Sequence, residues 1–154
     1  MLRPIISALT VSLAASAAAA DCASWTSGDL QISAPWSRAT IAPDRPAVLY
    51  LTLTNTGTAD DAVVGLETPV SRMPMLHETR VENGIASMPH LSRVPLPAGA
   101  TVALAPGGLH GMLASLTQGL TQGESYPLTL TFETAPPVTV DVQILALGAR
   151  GPQC

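Results

Sequence analysis

The chain contains no lysine, and its seven arginines stand singly against eleven aspartates and glutamates. Binding to nucleic acid or to anionic lipid needs clustered cations, so this balance disfavours both. After residue 20 no apolar run approaches the roughly 20 residues a membrane-spanning helix requires. Nor does any later segment keep a helical hydrophobic period over three turns. Internal repeats and low-complexity tracts are also missing there, and 154 residues leave room for one ordinary domain. Cysteine is limited to Cys22 and Cys154, with none in a compact loop beside a histidine. That makes the thiolate-centred copper site of an electron-transfer protein the weaker reading.

At the N-terminus, Arg3 precedes an apolar stretch from Pro4 to Ala20 that ends in four alanines. This pattern reads as a secretory signal over residues 1–20, cleaved before Asp21. Residues 21–154 then form the mature domain, placed in the periplasm. Asp21 occupies the position where a lipoprotein signal needs a small residue before cysteine, so the reading includes no membrane anchor at Cys22. Without Arg3, six arginines face eleven acidic residues, and the mature domain carries a net charge of minus five. In an oxidising compartment, Cys22 and Cys154 either form a disulfide or remain as thiols in the two tails. A bridge would stabilise by about 4–5 kcal/mol through the closed loop, provided the two ends of the domain meet.

Several short runs alternate apolar and polar residues, as a half-buried strand does. Leu128, Leu130 and Phe132 interleave with Thr129, Thr131 and Glu133, and Val138, Val140, Val142 and Ile144 interleave with Thr139, Asp141 and Gln143. Leu49, Leu51 and Leu53 alternate with Tyr50, Thr52 and Thr54. Weaker runs lie at 30–34, 62–67, 75–82, 85–90 and 101–105, giving about eight strands. Between them stand turn clusters such as Asn55-Thr56-Gly57, Asn83-Gly84 and Pro106-Gly107-Gly108. The expectation is an all-β antiparallel sandwich.

Asn83-Gly84 favours a two-residue type I′ turn and thereby sets a register. If Glu82 faces Ile85, then His77 faces His90, and His77 and Met88 share a face as diagonal neighbours about 7–8 Å apart. His110 and Met112, two residues apart, share a face in an extended segment. Taken singly, a methionine is most often core filling and a histidine most often a hydrogen-bonded structural residue. Two His–Met pairs together are a different matter, because thioether sulfur is a soft ligand that favours copper(I) and imidazole accepts copper readily. Zinc and calcium sites draw on thiolates or clustered carboxylates, which these positions lack.

The intervals run His, ten residues, Met, twenty-one residues, His, one residue, Met. In this spacing, and in blocks such as Trp36-Ser37-Arg38-Ala39 and Pro106-Gly107-Gly108-Leu109-His110, the chain resembles the PCuAC-type periplasmic copper chaperones. The resemblance spans about Leu30 to Leu145. It implies a cupredoxin-like sandwich, a copper(I) site formed by His77, Met88, His110 and Met112, and no catalysis. As recipient it implies the apo copper-centre domain of a haem-copper terminal oxidase, or another periplasmic copper chaperone. A buffering or resistance protein with no dedicated recipient would carry the same site. Met75 and His90 fall on the ligand face although the motif does not include them, which makes them candidate auxiliary or competing ligands.

Overall fold

The alternating runs become strands in the computed structural model, which describes residues 22–154. The expected signal segment and its cleavage point lie outside the described residues. Among the described residues there is no helix and there are thirteen strands. The first half of the chain contributes β1 (Ser24–Ser27), β2 (Leu30–Arg38), β3 (Ala47–Asn55), β4 (Asp61–Glu67), β5 (Ser71–Glu78), β6 (Arg80–Glu82) and β7 (Ile85–Ser87). It is followed by β8 (His90–Leu91), β9 (Val94–Leu96), β10 (Thr101–Leu104), β11 (Leu109–Leu116), β12 (Ser125–Phe132) and β13 (Val138–Leu145).

Nine strands form one path in the order β8-β5-β11-β3-β2-β13-β12-β4-β9, with β1 added to β2 and β10 added to β3. The path curls until β4 meets β5 and β9 meets β3, so the two layers are parts of one nearly closed sheet. This is a cupredoxin-like β-sandwich. One pairing departs from the antiparallel expectation, because β13 runs parallel to β2, with Ile144 opposite Ser37.

The count of thirteen exceeds the eight expected, for reasons visible in the residues. β9 is three residues long with Pro95 at its centre, β1 is mostly polar, and β11 hides its alternation behind Gly111. The run over 75–82 divides at Thr79 into β5 and β6, and the run over 85–90 divides after Ser87 into β7 and β8.

β3 lies next to the middle of the path and buries Leu49, Leu51 and Leu53, which share the core with Ile32, Leu113, Leu128, Leu130, Val140 and Val142. Each such side chain contributes about 1.5–3 kcal/mol on leaving water. The buried Asn55 and Asp61 side chains are paired. Asn55 donates through Nδ2 to the carbonyls of Ala59 and Leu96. The Asp61 carboxylate accepts from the N–H groups of Ala62, Thr134 and Ala135. Burial alone would raise its pKa, but these backbone hydrogen bonds outweigh it and hold the carboxyl below the usual carboxylate range.

The termini of the domain meet. Cys22 and Cys154 are joined as a disulfide with Cα atoms 5.2 Å apart, inside the range such a bridge requires. Near the same end, Arg38 lies 5.8 Å from the rings of both Trp36 and Tyr50 and donates through Nε to the Ala149 carbonyl.

Candidate metal centre

Asn83 and Gly84 adopt positive φ values of 51° and 78°, as a type I′ turn demands. Glu82 therefore pairs with Ile85, and the same register continues past the gap at Thr79 to pair His77 with His90. On its other side β5 pairs with β11, placing His110 directly opposite His77 and Met112 directly opposite Met75. Because side chains alternate across a strand, His90, His77 and His110 form one row on the outer face of β8-β5-β11. Met75 and Met112 form the next row. Leu76, Gly111 and Leu49, in register with one another, take the opposite face and look into the core.

Gly111 is what allows this closeness. A Cβ at that position would stand 2.9 Å from Cδ2 and 3.0 Å from Cβ of Leu49. Only glycine lets β11 settle against β3 while presenting His110 and Met112 from its other face.

Both imidazoles are anchored by the main chain. Nδ1 of His110 lies 3.0 Å from the Gly108 carbonyl, and Nδ1 of His77 lies 3.2 Å from the Met88 carbonyl. A carbonyl can only accept, so each Nδ1 carries a proton, and in the neutral imidazole Nε2 is the nitrogen that keeps its lone pair. For His77 that Nε2 is buried and has no hydrogen-bond partner among the described residues. A buried acceptor left unpaired costs about 1–3 kcal/mol. The two rings stand 6.0 Å apart, nearly parallel at 21°. His90 meets His77 edge-on at 5.7 Å.

Exposure varies across the face. His110 is 5% exposed, His77, Met75 and Met112 are half-buried, and Met88 is 56% exposed. Met88 sits on the returning arm of the hairpin, beside His77 through its carbonyl and open to solvent through its side chain. No three of His, Cys, Asp or Glu converge on one point among the described residues, which leaves thioethers to complete any ion-binding set. Glu78, the nearest carboxylate in sequence, is engaged with Arg80 at 2.6 Å. Imidazole nitrogens with free lone pairs beside thioethers suit a soft, low-charge ion, and the donors present fit copper(I).

Sequence reasoning found the His–Met pairs but not what holds them. The Gly108 carbonyl accepts from both His110 Nδ1 and the Thr79 N–H, which lies 3.0 Å away. The signal for it was the Pro106-Gly107-Gly108 turn, where Gly107 adopts a φ of 85°.

Fold and site together define a class: small cupredoxin-like β domains that carry a His/Met face near one rim of the sheet. Within that class the chain belongs to the LpqE-like family, described as lipoprotein-like, whose sequence profile matches residues 30–144. A Leifsonia xyli subsp. xyli protein named as a lipoprotein, Lxx21020, is 35% identical over 117 residues, covering 74% of this chain and 69% of its own. The copper-bound PCuAC domain from PmoF2 superposes with a TM-score of 0.70 at 27% identity, over 80% of this chain and 98% of that domain. The solution structure of copper(I)-bound DR1885 from Deinococcus radiodurans gives a TM-score of 0.61 at 27% identity, over 79% of this chain and 80% of that one.

Proposed function

We propose that the protein is a copper(I) metallochaperone that holds one ion among His77, Met88, His110 and Met112 outside the cytoplasm. The observation that carries this reading is the buried, unpartnered Nε2 of His77, 6.0 Å ring to ring from His110, whose Nδ1 is likewise committed to a backbone carbonyl. Two nitrogens with fixed lone pairs and two thioethers make a neutral, soft donor set, which favours copper(I) over zinc, calcium or magnesium. The copper-bound PCuAC domain of PmoF2 supports copper as the metal, and copper(I)-bound DR1885 supports this oxidation state.

The uneven exposure supports transfer rather than permanent storage. His110 fixes the inner side of the site, while Met88 gives an incoming ligand an open side on which to displace a thioether. Delivery by ligand exchange needs no catalysis by the protein. The recipient in this reading is an apo copper-centre domain of a terminal oxidase, or another copper chaperone of the same compartment. The mature domain is taken to begin at Asp21, after export.

An anaerobic competition titration with copper(I), run beside a His110→Ala/Met112→Ala double variant, tests the site. One-to-one binding lost in the variant is the expected result; binding that survives unchanged would refute the assignment. Transfer to a purified oxidase copper domain then tests the chaperone role, and a protein that retains its copper in that assay is a buffer.

A further inference from the structure

The motif intervals do not include His90, yet the register places it in the same row as His77 and His110. His77 stands between the other two rings at almost equal distances, 5.7 Å to His90 and 6.0 Å to His110. Towards His110 the face is closed and holds Met112 alongside. Towards His90 it is open, because β8 is only two residues long and ends the sheet path, and His90 itself is exposed. The donors therefore grade from buried imidazole plus thioether on one side to a solvent-exposed imidazole on the other.

We propose that His77 and His90 form a second, solvent-side position that takes copper(II), completed by water. This deepens the reading of His77 as a copper ligand and rests on it. Divalent copper prefers nitrogen and oxygen donors in a tetragonal arrangement and binds such sites more strongly than the other divalent first-row metals. Two imidazoles, with solvent reaching the pair from the exposed His90 side, supply that arrangement, whereas the His110–Met112 side offers sulfur and is closed to solvent at His110. One lone pair on His77 Nε2 cannot serve both sides, because its Nδ1 is held by the Met88 carbonyl. The two positions are therefore mutually exclusive: the protein takes up either oxidation state, one ion at a time, with no electron transfer required for binding.

The test uses the purified disulfide-bonded protein and two parallel titrations, copper(II) sulfate followed by electron paramagnetic resonance and anaerobic copper(I) followed by competition. Wild-type protein should bind one copper(II) with nitrogen hyperfine structure, and His90→Ala should weaken that binding by at least about tenfold. Copper(I) affinity should stay within about twofold of wild type in His90→Ala, which also reports an intact fold. Wild-type protein preloaded with copper(I) should refuse copper(II). The proposal is overturned by absence of copper(II) binding, by copper(II) binding indifferent to His90→Ala, or by simultaneous binding of both ions. A parallel fall of copper(I) affinity in His90→Ala would also overturn it, by making His90 part of the inner set. Failure of the copper(I) reading shows separately, as copper(I) binding that ignores Met112→Leu.

Discussion

Gly111→Ala introduces one methyl group at the point where β11 presses on β3. The new Cβ would meet Leu49 at 2.9 Å and 3.0 Å, and Leu49 is fully buried and cannot swing into solvent. Relief has to come from a shift of β11 or a strained Leu49 rotamer, a change that costs about 1–3 kcal/mol in a packed core. Gly111 is not among the residues with positive φ, so alanine fits its backbone and recovers about 0.4–1 kcal/mol by restricting the unfolded chain. The net expectation is a loss of about 1–2 kcal/mol, with packing outweighing entropy. At about 2.1 cal/mol/K per residue, the melting midpoint should fall by about 4–7 °C. Calorimetry measures the midpoint, and a copper(I) titration of the same sample should show weaker binding, because the residues that move carry His110 and Met112. Adding Leu49→Val removes the Cδ contact, so the pair should be less destabilising than the sum of the single changes. A midpoint for Gly111→Ala that is unchanged or raised would refute the claim that glycine is needed there.

Met112→Leu keeps volume and loses only sulfur, so copper(I) affinity should drop by about tenfold or more while stability changes by less than about 1.5 kcal/mol; unchanged affinity removes Met112 from the site. Asp61 has its pKa held low in the fold, so its stabilising contribution is present above the unfolded value of about 3.9 and is lost as pH falls through the lower folded value. Wild-type stability should decline below about pH 4, and Asp61→Asn should be less stable at neutral pH and flatter on the acid side in urea titrations across that range. Replacing both cysteines by serine should cost about 4–5 kcal/mol by the closed-loop argument. Intact mass should rise by about 2 Da on reduction of the native protein, and a lipid on Cys22 Sγ would show instead as a mass increment with no bridge.

How much of this was readable from the residues depends on range. The β8–β5 register followed from Asn83-Gly84 because a type I′ turn couples two strands locally and alternation carries the register outward. The meeting of His77 with His110 was not fixed in the same way, since β5 and β11 are joined through a long excursion with no turn signal to set their offset. Spacing could say that two His–Met pairs existed and not that they faced one another across a ladder. Gly111 looked like a spacer, because its reason lies in Leu49, a residue more than sixty positions earlier. The sandwich was visible in β3, β12 and β13, whose alternation is clean. The short strands β1, β8 and β9 are held by their neighbours in the sheet rather than by any pattern of their own.

The two carbonyls that orient His77 and His110 belong to the main chain, and every residue type offers one. Substituting the side chain at 108 therefore leaves the anchor in place, whereas removing or inserting one residue in the 79–87 hairpin or the 106–108 turn displaces it. What evolution can vary here is chemistry along the loops; what it has to preserve is their length. The ten-residue interval between His77 and Met88 then acts as a ruler, measuring out the hairpin that returns a carbonyl oxygen to an imidazole.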